Sequence, residues 1–354
     1  MRKKSFFEAG DLIPVGCRYI FAKSGETLVG NGVDVYFPAT MQPDDYFEAK
    51  YYRYTYSDTT GLSVKVRKKN LVNYGPLLES ICGEPLRSIR SAFYGCRKMR
   101  VAPEIPETVT DMIFAFVGCK MLAKAPKIPS GIKSMGYTFC DCESMRSYAG
   151  STDPDGDFSG YKIPDGLSNM MGTFSGCRAM VEAPEIPAGV KNMRNTFFGC
   201  KSLLTAPAIP AGVTNMEGTF DGCEVLKTYA GSTAEDGNFS GYKIPDGVMD
   251  LSFAFGYCGL MENAPCIPDS VMNMKGTFTH CTALVKAPII PADVKEMGNA
   301  ILGSGTFYGC TDLSGTLICH ANPDSYHDVL KGTQITAIEG SCSEETKAAL
   351  LATK

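Results

Sequence analysis

The chain has no tryptophan, only three histidines, and no apolar run near the ~18 residues of a membrane-spanning helix. Formal net charge is -4, so it lacks the basic field that nucleic acid or an anionic membrane would require. No nucleophile elbow, P-loop or H-E-x-x-H is found. Arg2, Lys3 and Lys4 open the chain as a secretory leader would, but Glu8 and Asp11 interrupt its apolar core. The expectation is a protein without a Sec signal, cytoplasmic as synthesised, which either stays in the cytoplasm or leaves by another route such as cell lysis.

Cysteine, by contrast, is abundant: 15 residues in a chain of 354, too long to need disulfide stapling. Their spacing exposes an internal repeat. A unit M-x-x-T-F-x-G-C-x-x-L-x-x-A-P-x-I-P-x-x-V-x-N starts at Ile89, Met112, Met135, Met170, Met193, Met216, Leu251, Met274 and Met297. Successive starts lie 23 residues apart, except for two steps of 35, and the pattern also recurs at 81. The phenylalanine column is Phe93, Phe116, Phe139, Phe174, Phe197, Phe220, Phe255, Phe278 and Phe307. The cysteine column is Cys96, Cys119, Cys142, Cys177, Cys200, Cys223, Cys258, Cys281 and Cys310. Such periodicity predicts a solenoid in which each repeat buries its apolar edge only against its neighbours.

Within a unit, Val213 to Met216 reads as a short extended run. Glu217 to Cys223 reads as a turn or a single helical turn, with Phe220 and Cys223 on one inward face. The A-P-x-I-P segment cannot be helical, because its prolines remove donors and bias their predecessors to extended geometry. Nine coils at the strand spacing would span roughly 40 Å.

T-F-x-G-C, the following leucine and I-P, unit after unit over about 89–320, resemble the BspA-like (Treponema-type) leucine-rich repeats. The A-P before I-P, and Met in place of Ile-Gly, depart from that pattern as a variant subfamily would. The resemblance implies a leucine-rich-repeat-like right-handed coil of short parallel strands and helical turns. It implies adhesion or recognition in a bacterial surface protein or a prophage-encoded, tail-associated one. The chain ends, GETLVGNGVDVYFPATMQ and TQITAIEGSCSEETKAALL, are similar to flanks of such repeats in gut bacterial and prophage proteins.

The expected organisation is a small β-rich domain at 1–70, a cap at 71–88, the nine repeats at 89–318, and an α/β cap at 319–354. In the first, YYRYTYS, Asp-Thr-Thr-Gly and LSVKVRK read as a hairpin. Over 311–354, GTLICHA and QITAIEG read as strands, DSYHDVLKG as a helix between them, and Ser343 as the N-cap of a final helix. Cys319 and Cys342 are again 23 apart, so the stack continues there in degenerate form.

Chemistry has few candidates. The cysteine column could hold metal or disulfides, but stacked side chains point the same way and no C-x-x-C pair occurs. The competing reading is a buried small side chain whose S–H caps a neighbouring carbonyl. Cys319 and His320 are adjacent, so on a strand they face apart, and Asp44-Asp45 reads as solvated loop charge. No enzyme and no cofactor are expected.

Two 12-residue expansions near 148–162 and 229–243 carry nearly identical sequence: YAGSTDPDGDFSGYKIPDG and YAGSTAEDGNFSGYKIPDG. Alternating aspartates suggest a calcium loop, but from Asp153 the sixth residue is Phe158 and the twelfth Pro164, where an EF-hand needs Gly and Glu. The candidate binding residues are therefore Tyr148, Asp155, Asp157, Phe158 and Tyr161, then Tyr229, Asp236, Asn238, Phe239 and Tyr242. Either they protrude toward a protein or cell-surface glycan, or their rings fold over the coil edge as a duplicated structural loop. The sequence reading is thus a recognition or adhesion protein, with assembly through the N-terminal domain; the alternative is a structural spacer of a larger particle.

Overall fold

The computed structural model describes residues 6–7, 20–23, 26–29, 46–48, 51–81, 83–148, 158, 160–232, 237–298 and 304–354. Eight strands form the N-terminal sheet: β1 Phe6–Phe7, β2 Ile20–Lys23, β3 Glu26–Val29, β4 Tyr46–Glu48, β5 Tyr52–Ser57, β6 Gly61–Val66, β7 Ser80–Ile81 and β8 Glu84–Ser88. Their order is β1-β7-β8-β6-β5-β4-β2-β3. β5 and β6 are the hairpin, with Tyr52 opposite Val66. β6 then pairs in parallel with β8, Leu62 against Leu86, joining the sheet to the first coil. Tyr52 and Tyr54 are fully buried there: Tyr54 Oη accepts from Leu78 N (2.8 Å), and the Tyr52 ring meets Phe93 edge-on at 6.1 Å. The sheet therefore seals the end that an open coil would leave as an exposed edge.

Beyond it, coils stack through parallel bridges. Asn169, Asn192, Asn215, Asp250, Asn273, Glu296 and Ser325 pair in sequence along one corner. A second corner carries two short parallel pairs, β9 Lys124–Ala125 with β10 Ser147–Tyr148 and β11 Thr205–Ala206 with β12 Thr228–Tyr229.

Between these corners the T-F-x-G-C segment is neither strand nor helix. In the coil from Met193, the backbone N–H groups of Met193, Asn195, Phe197 and Gly199 donate to Asn215, Glu217, Thr219 and Asp221 of the next coil at 2.7–3.0 Å. The N–H groups of Thr196, Phe198 and Cys200 instead donate back within the coil, to Met193, Asn195 and Phe197. Arg194 N, the remaining donor, is taken by Asn192 Oδ1 (2.9 Å). No donor from 193 to 200 is left over, as burial demands. The expected helical turns are corrected by this pattern. In the eight coils from Ile89 to Met274 two residues hold left-handed backbone, here Asn195 (φ 53°) and Gly199 (φ 66°), which no right-handed helix accommodates.

The same columns form the core. All nine phenylalanines and all nine cysteines of the repeat are fully buried. Successive rings stack face to face at 5.0–5.8 Å, including across both expansions (Phe139–Phe174 5.7 Å, Phe220–Phe255 5.6 Å). Each thiol from Cys119 onward donates to the carbonyl of the preceding coil's phenylalanine, for example Cys200 Sγ to Phe174 O (3.2 Å) and Cys223 Sγ to Phe197 O (3.2 Å). Threonine serves one coil back as well: Thr196 Oγ1 shares its proton between Met170 O (3.0 Å) and Met193 O (2.7 Å).

At the far end, β13 Ser314–Ile318 and β14 Gln334–Glu339 pair in parallel, and α1 Glu344–Leu351 follows with Ser343 accepting from Thr346 N. DSYHDVLKG is not the expected helix. Asp328 (φ 54°) and Gly332 (φ 82°) repeat the two left-handed positions of a coil, and Phe307 N and Gly309 N donate to Val329 O and Lys331 O. It is a further coil turn.

Phe220→Ala should cost about 3–5 kcal/mol, since the cavity would lie between two rings that cannot close over it. Phe198→Ala, one residue after the stacked Phe197 but 44% exposed, should change stability by about 0.5 kcal/mol or less. Urea denaturation of the two variants checks this; equal losses would contradict it.

Candidate functional site

The expansions have a definite geometry where they are described. In the second, β12 pairs backward onto β11, and Ala230 N donates to Ala206 O (2.8 Å). Asn238 instead bridges forward to Asn263, with Phe239 N donating to Asn263 O (3.0 Å). The coil thus passes this corner twice, once for each neighbour, and the added residues join the two passes.

This double pass fixes the rings. Phe158 and Phe239 are fully buried, and Tyr161 and Tyr242 are 4% and 3% exposed. Tyr161 Oη donates to Pro126 O and Tyr242 Oη to Pro207 O, each at 2.7 Å and each in the preceding coil. Phe158 packs on Phe174 (5.7 Å) and Phe239 on Phe255 (6.4 Å). The expectation that these four rings reach a partner is corrected: they extend the inner ring stack sideways. Tyr148 and Tyr229 are half-buried against them, at 5.3 and 5.5 Å from Tyr161 and Tyr242. Asn238 caps its own turn by accepting from Ser240 N (2.9 Å). Asp155, Asp157 and Asp236 lie outside the described residues.

What the expansions do offer is walls. On the A-P-x-I-P face, two grooves lie between them and the C-terminal cap. The first, of about 970 Å³, runs over 183–188 and 207–210, with Tyr161 and Asp165 on one side and Ala230 on the other. The second, of about 540 Å³, runs over 264–267 and 287–292, from Ser240 to His320 and Ser341. Their floors are equivalent at the 81-residue period: Ala208 corresponds to Ile289, and Glu185 to Cys266. All four of these side chains are exposed. The prolines make this possible, because they leave the backbone extended without donors and present ring surface instead.

The second groove holds an exposed thiol, Cys266, and the His320 ring; the thiol donates to Ser240 O (3.8 Å). The inner thiols are held protonated by burial, with Cys310 and Cys319 pushed up to about 12. Cys319 donates to Ala321 O, whereas the His320 ring meets Ser341 Oγ (2.9 Å), so the two do not pair. Among the described residues no three His, Cys, Asp or Glu side chains converge as a metal site would require. One carboxyl is unusual: burial raises Asp221 to about 7. The groove residues escaped sequence reading because small apolar side chains beside proline carry no chemical signature. Their one signal was that A-P-x-I-P keeps its prolines while the residue between them varies.

No protein-family model matches the sequence, and no curated protein does. Among solved structures, a leucine-rich repeat protein from Bacteroides ovatus is similar at TM-score 0.52 and 22% identity, over 83% of this chain and 78% of that one. A leucine-rich repeat protein of T. pallidum aligns at TM-score 0.45 and 22% identity, over 67% of this chain and 89% of that one. A leucine-rich cell surface protein from Faecalibacterium prausnitzii aligns at 0.41 and 17%, over 86% and 97%.

Asp221 makes stability pH-dependent with a definite sign. The folded chain holds a proton that the unfolded chain releases near the ordinary carboxyl value of about 3.9, so stability should fall as pH rises from there through about 7. Asp221→Asn should be the more stable form at pH 8 and lose most of that slope, read by urea denaturation at pH 5 and pH 8. The coil-to-coil bridges, the continuous core and the Bacteroides alignment together make this the fold of the leucine-rich-repeat proteins.

Proposed function

We propose that the chain is a non-enzymatic recognition protein, a variant of the BspA-like leucine-rich repeats, whose right-handed solenoid presents the two A-P-x-I-P grooves to a protein or glycan on a cell surface. The observation carrying this reading is the equivalence of the grooves. Two proline-lined floors at an 81-residue interval, each bounded on one side by a copy of the same expansion, form a two-site surface, and paired weak sites gain avidity toward a repetitive target. The N-terminal sheet is the anchoring or assembly end, on a bacterial surface or a prophage-encoded particle. No helix among the described residues is long and apolar enough to cross a membrane. A spacer role, the alternative, would leave both grooves empty.

Ala208→Glu and Ile289→Glu each place a charge on one groove floor at exposed positions. Each should weaken binding of the labelled chain to cultured bacterial or epithelial cells at least threefold, and the double variant more than tenfold, by flow cytometry. Cell binding unchanged in the double variant would remove the grooves from the reading. No binding of the parent chain to any cell would favour the spacer.

A further inference from the structure

A second concavity, of about 590 Å³, lies on a different part of the coil, along the edge formed by the T-F-x-G-C turns. Its floor is three successive glycines of the G-C column, Gly176, Gly199 and Gly222, all in left-handed backbone (φ 72°, 66°, 75°). The column is interrupted before them by Asp141 and after them by Tyr257, so the depression is closed at both ends. Phe198 stands in the middle, 44% exposed, and Tyr257 at the end, 50% exposed. Arg178 lines it and makes no ion pair within 4 Å among the described residues, although Glu143, itself paired with Lys120, acts on it from farther away; of the other charged groups lining the trough, Lys201 is paired with Glu224 and Asp141 stands at the closed end.

We propose that this trough binds a short oligosaccharide bearing a carboxylate, with sugar rings on Phe198 and Tyr257 and the carboxylate on Arg178. It rests on the recognition reading above and adds the ligand's chemical class and a site separate from the grooves. Three observations select this occupant. The backbone of the floor has no donors to offer an added peptide strand, since Gly176, Gly199 and Gly222 donate to Phe198, Asp221 and Gly256. The volume suits a small ligand of a few rings, while a stable protein interface buries on the order of 1,200 Å² or more. Exposed aromatic faces beside an exposed guanidinium match a molecule that is apolar on its ring faces, polar at its rim and anionic at one point. The space above Gly199 is open.

The test is titration calorimetry of the full chain with galacturonic acid oligomers, sialyllactose and, as the neutral comparison, lactose. One of the two acidic probes should bind, and lactose should bind at least tenfold more weakly. Phe198→Ala and Tyr257→Ala should each weaken the acidic probe at least tenfold. Arg178→Gln should abolish the preference over lactose. Tyr94→Ala, an exposed ring on the same edge but outside the trough, should change nothing. Thermal melting confirms that each variant is folded. Failure of both acidic probes to bind, or binding indifferent to Phe198, Tyr257 and Arg178, would overturn the proposal. Cell binding that persists in that case would leave the recognition reading intact, so the two fail separately.

Discussion

Everything in the repeat depends on how its buried turns dispose of their backbone donors. A helix would direct every N–H along its own axis and offer nothing to a neighbour. A strand would send alternate groups to opposite sides and need a partner on each. The T-F-x-G-C segment sends alternate donors forward to the next coil and the rest back into its own, and in eight of the nine repeats two residues adopt left-handed backbone to allow it. Glycine holds that conformation without strain; Asn195, Phe114 and Tyr137 hold it at a cost on the order of 1 kcal/mol or more each. The cooperative stack tolerates those exceptions because its remaining positions over-determine the geometry.

Side chains in the columns complete what the backbone begins. Threonine and cysteine each reach one coil back to a carbonyl, so successive coils are joined by polar bonds on both flanks of the phenylalanine stack. Three coils carry alanine where the others carry threonine, at Ala92, Ala115 and Ala254. Loss of one such bond is thus absorbed locally, as expected where a buried hydrogen bond contributes about 1 kcal/mol. The phenylalanine and cysteine columns, in contrast, have no substitutions in nine copies.

Much of this was legible in the sequence, for a physical reason. Each coil meets nearly the same environment, so a requirement imposed once is written nine times. What was not legible came from segments whose local composition contradicts their placement. The D-G-x-F-S-G-Y-K stretch is polar and glycine-rich, as exposed loops are, yet Phe158 and Tyr161 are buried. The clue lay in Tyr161-Lys-Ile-Pro164, which matches Pro126-Lys-Ile-Pro129 of the preceding coil and so puts the tyrosine in the register of an inner proline. Likewise Asp328-Val-Leu-Lys-Gly332 has helical propensity but repeats the glycine of Gly309 at the coil spacing. Tertiary register overrode local preference in both places.

The unbroken ring stack has a consequence for how such a chain can grow. Phe139–Phe174 and Phe220–Phe255 keep the ordinary ring spacing although 12 additional residues separate them in sequence. The added length therefore does not lengthen the stack along its axis. A block of 81 residues, three coils with one expansion, can be copied in tandem while every groove retains its distance from the next. The molecule is in effect a ruler, graduated every three coils, whose reach evolution can set by counting whole blocks.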